Sequence, residues 1–495
     1  MEKVAQNQLC HRKAIEAAVH SVEKSLEIAP ADPHRPAYHV SPSVNWMNDP
    51  NGLIFYKGEY HLFYQYNPFS PQWGNIHWAH CKSKDLIHWE QLPIALAPSE
   101  DYDKDGCFSG SAVEHEGKLY LFYTGNVFTT PTGLPDDLLQ QQCVAVSEDG
   151  VNFRKDSANP VIPAPPAHIG QTNHFRDPKV WSHGGKWYMV LGARHNHLGK
   201  VLLYQSDDLL HWEFKSVVTE SQGSEGYMYE CPDLFALGGR DFLLLCPEGM
   251  EGEGQIAGYY SGLLNYSAGT YEHGDFTKLD EGFEFYAPQT MTDANGRRLM
   301  IGWMPMDGHS LGKTWAGCMT LPRELLHEGN GRLRFRPAEE LKQLRKRHSS
   351  VRDYAVTEGE LHSFPEVEGD CVEMMIQFDL QRSDASEISI HVRSSSDNQE
   401  CTVIQANLSK RNISFDRNRS GMGPGGIKEC RLETGLGDML QLHIFLDRST
   451  VELFINDGVR VMSGLVFPDP ESIGIRFAAK GGTAYIHDLQ FWTLQ

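Results

Sequence analysis

The chain has 495 residues, 40% of them hydrophobic and 11% aromatic, with a formal charge of −21. That length exceeds one ordinary core and predicts two domains, and the composition is that of a packed globular protein, not a disordered one. The acidity argues against nucleic acid or an anionic membrane as partner, because both require a basic surface; a neutral polyhydroxylated small molecule stays compatible.

Ile15, Val19, Val22 and Leu26 share one helical face, which predicts a short helix in an N-terminal extension over 1–36. That stretch carries Glu2, Lys3, His11, Arg12 and Lys13 and lacks the apolar core of a signal peptide, and nothing reaches transmembrane length. The chain as written therefore reads as cytoplasmic. Four sequons, at Asn265, Asn407, Asn412 and Asn418, would matter for a secreted protein whose leader had been removed. Ten scattered cysteines with no C-x-x-C pair read as reduced thiols.

From 37 to 335 a glycine-led pattern recurs five times, beginning at Gly58, Gly117, Gly185, Gly239 and Gly296. Gly58-Glu59-Tyr60-His61-Leu62-Phe63-Tyr64 is typical: a turn, then a buried strand. The starts lie 54 to 68 residues apart. A second pattern keeps a similar period, at Ser83–Trp89, Ser147–Phe153 and Ser206–Trp212. Recurrence of a strand-turn unit at that spacing predicts a five-bladed β-propeller.

Three acidic, proline-bearing segments precede the first, third and fourth repeats. They are Asn48-Asp49-Pro50-Asn51-Gly52, Arg176-Asp177-Pro178 and Glu230-Cys231-Pro232-Asp233. Singly they read as turns. Equivalent positions in different blades converge on one axis, however, and would bring three carboxylates face to face. A carboxylate pair on a rigid frame can break a glycosidic bond, one attacking the sugar and one protonating the leaving oxygen. His77, His80 and His88 lack the helical frame of a metal site, so neither metal nor cofactor is expected.

Past residue 335 the pattern changes. Residues 336–348 predict a linker helix begun by Pro337. Strict alternation follows at Ile388/Ile390/Val392, Leu440/Leu442/Ile444/Leu446, Val451/Leu453/Ile455 and Ile473/Ile475/Phe477, which predicts a β-sandwich over 349–495. The expected fold is all-β: a five-bladed propeller, then a sandwich.

Taken together, Trp46–Gly52, Phe175–Pro178 and Tyr229–Asp233 resemble glycoside hydrolase family 32, the family of invertases, sucrose-6-phosphate hydrolases and fructan hydrolases. Gln65–Pro68, Trp73-Gly74, Phe108–Ser111, Phe285–Gln289, Met319–Leu325 and Asp447–Phe454 extend the likeness from about residue 38 to the end. Glu284 departs from it, since relatives commonly carry Asp before the Phe-Tyr pair. The resemblance implies a nucleophile at Asp49, a general acid/base at Glu230 and a transition-state stabiliser at Asp177. It also implies a retaining mechanism, for which carboxyl groups sit roughly 5–5.5 Å apart. Donors around Asp49 would hold it ionised. Asn48, Gln65, Ser109 and Arg176 are candidate substrate contacts, with Trp46, Trp73, Phe108 and Trp315 as an apolar collar. The expected activity is hydrolysis of the terminal β-D-fructofuranoside of sucrose. A sucrose-6-phosphate hydrolase, a fructan hydrolase or a non-catalytic sugar-binding propeller are the alternatives. The expected partner is a small carbohydrate, bound by a monomer or weak homodimer.

Overall fold

The computed structural model describes residues 2–130, 136–308, 311–327, 329–432 and 437–494. Five antiparallel sheets form the blades of a propeller, and each begins with its innermost strand. These inner strands are Asn45–Tyr56, Cys107–His115, Phe175–His183, Glu225–Leu237 and Tyr286–Thr292. Each touches the next, and the fifth returns to the first, which closes the ring around an axis. Trp315–Ala316 then pairs in parallel with Asn45–Trp46, laying a strand from the last blade region onto the first blade.

The glycine repeat marks the first hairpin of each blade. Lys57 and Gly58, with φ of 48° and 84°, form a two-residue loop between Tyr56 and Glu59. Two consecutive left-handed residues give the turn whose twist matches antiparallel strands, which is why glycine recurs at the second place. Only in the fifth blade is the loop longer, spanning 293–297. The second repeat is the outermost hairpin. Asp85, Asp149 and Asp208 each accept two backbone N–H bonds from the residues two and three places on. Trp89 and Trp212 donate their indole N–H groups back to Leu86 and Leu209.

The N-terminal helix is not short: α1 runs Glu2–Ile28 over 27 residues. Ile15, Val19 and Val22 pack with buried Ala18 on the first blade. Leu26 does not join them and stays 46% exposed. The docking face is completed instead by His11, whose Nε2 accepts the Ala97 N–H.

The linker helix is also smaller than 336–348. A 3₁₀ turn covers Glu339–Leu344 and buries Leu341 and Leu344, while strands Leu333–Pro337 and Arg345–Val356 occupy its flanks. Ladder pairing, Arg323↔Pro337 on one side and Arg345↔Leu494 on the other, wins over the local helical preference of those flanks. Beyond it, a six-stranded and a five-stranded antiparallel sheet enclose an aliphatic core, and the alternating residues Ile388, Ile390, Leu442, Ile444 and Ile475 all point into it.

The two domains are joined by buried charge. Arg323 of the fifth blade donates to Glu452 (2.7 Å), Asp280 (3.0 Å) and Ser463 (2.6 Å). His39 lies 2.8 Å from Asp447 and 3.1 Å from Glu452. Glu284, the residue that departs from the family pattern, accepts from Arg417 of the sandwich at 2.8 Å.

Candidate active site

The three acidic segments are not turns. Each is a bulge inside an inner strand, where the ladder slips between Met47 and Pro50, beside Asp177 and Pro178, and between Glu230 and Asp233. The second and fifth inner strands slip at the same level, at Ser109 and at Ala287-Pro288. Proline carries no N–H to give to a ladder, so a bulge is where a strand interior tolerates it. A bulge also re-aims side chains. Five bulges ringed around one axis turn Asp49, Ser109, Asp177 and Glu230 toward one another. Asp177 adopts φ of 66° and Cys231 φ of 48°, conformations that cost a non-glycine residue about 1–3 kcal/mol. The backbone is strained where the carboxylates are placed.

Cys231 sits between two of them. Its N–H donates to Asp177 Oδ2 at 2.8 Å, and its Sγ lies 3.6 Å from Asp49 Oδ2 and 3.7 Å from Asp177 Oδ2. Burial and both carboxylates push this thiol far up, so it stays a protonated S–H donor and no nucleophile.

A closed chain of donors sets the Asp49 carboxylate. Trp46 Nε1 donates to Asn48 Oδ1 (2.8 Å); Asn48 Nδ2 donates to Gln65 Oε1 (2.7 Å) and Asp49 Oδ1 (3.2 Å). Gln65 Nε2 donates to Ser109 Oγ, which donates in turn to Asp49 Oδ2 at 2.5 Å. Asn48, Gln65 and Ser109 are buried, and the structure commits their polar atoms to orienting Asp49. The expectation that these donors hold Asp49 low is corrected: burial, aided by the charge of Glu230, outweighs Ser109 and Asn48 and raises it. Asp177 is raised too, by burial and by Glu230 and Asp49, against the pull of Arg176.

Glu230 is held on both oxygens. Arg176 donates Nε (3.1 Å) and Nη2 (2.8 Å) to Oε1, and the Tyr286 hydroxyl donates to Oε2 at 2.5 Å. Arg176 is itself steadied by Glu248 at 3.3 Å, Gln140 at 3.3 Å and His174 at 3.1 Å. A guanidinium can only donate, so His174 Nδ1 must be the bare nitrogen and Nε2 carries the proton it gives to Asp136, 2.8 Å away. Burial and the charge of Arg176 keep His174 neutral, pushed down to about 4.

Of the proposed collar, Trp73 is 51% exposed and meets Phe108 edge-on with ring centroids 5.9 Å apart. Trp46 packs edge-on against Trp303. Trp315 is not part of it. It is wholly buried, donates Nε1 to Asp32, and packs with Met304, Met306 and Phe467, so no sugar can touch it. The sequence motifs assign no role to Tyr286, Glu248, His174 or Asp136. Tyr286 was present in the Phe285–Gln289 likeness, and the His174-x-Arg176 spacing is visible, but their partners lie on other blades. A separate cleft of about 840 Å³ opens between α1 and the first two blades, lined by His11, Arg12, Tyr102 and Lys155 among others, and holds none of the site carboxylates.

Ser109→Ala is expected to lower kcat/KM about ten- to a hundredfold, the worth of a hydrogen bond to a charged group. It should also move the acid limb of the pH–rate profile upward, because Asp49 loses the strongest donor opposing its burial. An unmoved acid limb would show that Ser109 does not govern the ionisation of Asp49.

Residues 39–337 match the model described as the glycosyl hydrolases family 32 N-terminal domain, and residues 340–493 that of the family's C-terminal domain. The chain is 40% identical over 476 residues to the sucrose-6-phosphate hydrolase of Escherichia coli, covering 93% of this chain and 94% of that one. It is 38% identical to the raffinose invertase of Escherichia coli, covering 93% and 95%. Among solved structures it is similar to a mutant of the Bombyx mori GH32 beta-fructofuranosidase BmSUC1 in complex with sucrose, with 36% identity, 98% of each chain covered and a TM-score of 0.81.

Proposed function

This chain belongs to glycosyl hydrolase family 32 and is a glycosidase, and from that premise we propose that it hydrolyses free sucrose at the fructosyl side, with retention. The observation that carries the proposal is the set of three carboxylates on three inner strands, two of them tied together through Cys231 and the third held by Arg176 and Tyr286. In this reading Asp49 attacks the anomeric carbon of the fructosyl unit while Glu230 protonates the departing glycosidic oxygen. Water then enters, Glu230 takes its proton, and the covalent fructosyl-Asp49 ester is cleaved. Glu230 lies close enough for its charge to oppose ionisation of Asp49, which couples the two carboxyl groups. Asp177, 6% exposed, accepts fructose hydroxyls at the pocket floor.

The choice of free over phosphorylated sucrose rests on charge. Asp49, Asp177, Glu230, Glu248 and Asp136 surround two guanidinium groups, Arg176 and Arg194. Both are already paired, Arg176 with Glu230 and Glu248 and Arg194 with Asp136. A phosphate dianion entering that pocket meets more carboxylate than cation. The rival reading, a sucrose-6-phosphate hydrolase, is favoured by the name of the relative from Escherichia coli. Glucose and glucose 6-phosphate released from sucrose and sucrose-6-phosphate, beside a Glu230→Gln control, separate the two. We expect turnover of sucrose that is lost in the control. Preferred turnover of the phosphorylated sugar would establish the rival, and no release from either would remove the sucrase reading.

A further inference from the structure

Resting on that reading of the site, we infer that Asp136 decides whether the leaving sugar is accepted neutral or phosphorylated, by capping Arg194. A line of polar groups runs outward from the proposed acid: Glu230, Arg176, His174, Asp136, Arg194. Glu230 protonates the departing oxygen, so the leaving sugar occupies this side of the pocket. Asp136 Oδ1 accepts hydrogen bonds from both His174 Nε2, at 2.8 Å, and Arg194 Nη2, at 2.7 Å.

Exposure orders the three groups. The side chain of Asp136 is 62% exposed, while those of His174 and Arg194 beneath it are 5% and 7% exposed. Arg194 is fixed from below by Gln171, whose Oε1 accepts from Nε at 3.2 Å. Solvent, or an arriving sugar, therefore meets the carboxylate first and the guanidinium only behind it. A hydroxyl of a neutral sugar can donate to that carboxylate. A phosphate dianion has no proton to donate, and it is held away from the one cation in the line that is not already on Glu230. His174, kept neutral, adds no compensating charge. Among the described residues of this line, removing the Asp136 charge leaves Arg194 as a buried, preoriented fork facing outward, the geometry that suits a phosphate.

The test compares kcat/KM for sucrose and sucrose-6-phosphate in the wild-type protein, Asp136→Asn, Asp136→Ala and Asp136→Ala combined with Arg194→Gln. The exposed position of Asp136 makes its substitution compatible with folding. The ratio of phosphorylated to free sucrose use is expected to rise at least about tenfold in both single variants, since a like charge is removed and an opposite one uncovered. Loss of Arg194 in the double variant should return the ratio toward wild type. An unchanged ratio in Asp136→Asn and Asp136→Ala, or a rise that survives the loss of Arg194, overturns the inference. Each ratio is read relative to wild type, so a wild-type preference for the phosphorylated sugar would sink the functional reading above while the change on removing Asp136 still decides this one.

Discussion

Asp49→Asn is expected to lower kcat by about 10⁴-fold or more, because an amide cannot form the covalent ester that divides the reaction into two easier steps. The same substitution should raise thermal stability at neutral pH. Asp49 is raised in the folded protein by burial and by Glu230. A carboxyl whose folded value is raised binds its proton more tightly folded than unfolded, so its cost to stability is absent below the unfolded value near 3.8 and fully present above the folded one. The stabilisation of Asp49→Asn should accordingly shrink as pH falls toward about 4. Calorimetric scans at pH 7 and pH 4, with the rate assay, check both halves. A variant that is inactive and also less stable at pH 7 would mean that Asp49 holds the fold together and that its loss of activity is structural.

The largest stability effect is expected at the domain junction. Arg323 has no exposed surface and makes ion pairs with Glu452 across it and with Asp280 of its own domain. Arg323→Ala leaves buried Asp280 without its cation and Glu452 with His39 alone, and should destabilise by about 3–5 kcal/mol, read as a fall in the urea midpoint. Pairing Arg323→Met with Glu452→Gln should cost less than Arg323→Ala, because the penalty arises from the abandoned charge more than from the lost bond. A double variant as damaged as the single would show that Arg323 acts through packing against Phe285 and Phe454. His39 adds a pH dependence to the same junction. Burial alone would lower it, but Asp447 and Glu452 overcome this and push it up to about 9. A histidine raised in this way contributes stability that is whole below its unfolded value of 6.5 and is lost as pH rises through about 9. The wild-type midpoint should fall over that window, and the fall should be absent in His39→Gln.

The same inner hairpins illustrate how far the chain could be read in advance. Gly58, Gly117, Gly185 and Gly239 were legible because the second place of a two-residue left-handed turn favours glycine, and favours it locally. The alternation of the sandwich strands was legible because each strand reports its own buried face. Pro50, Pro178 and Pro232 misled: proline beside an acid reads as a turn, and only the ladders on either side reveal a bulge. Trp315 misled as well, since an aromatic near a glycine looks the same whether it lines a pocket or fills a core. Leu26 lies on the predicted helical face but stays outside the cluster that α1 forms with the first blade.

What the sequence by itself determined is therefore local and periodic: the number of blades, the sandwich, and the presence of Asp49, Asp177 and Glu230 at equivalent places in three repeats. Only the tertiary structure decided what those carboxylates experience. The bond of Ser109 to Asp49, the hold of Tyr286 on Glu230 and the capping of Arg194 by Asp136 join residues 60, 56 and 58 positions apart on different blades, and the charge of Glu230 reaches Asp49 from another blade again. Hydrogen-bond geometry and desolvation depend on distances of a few ångströms, and those distances are created when the ring of blades closes.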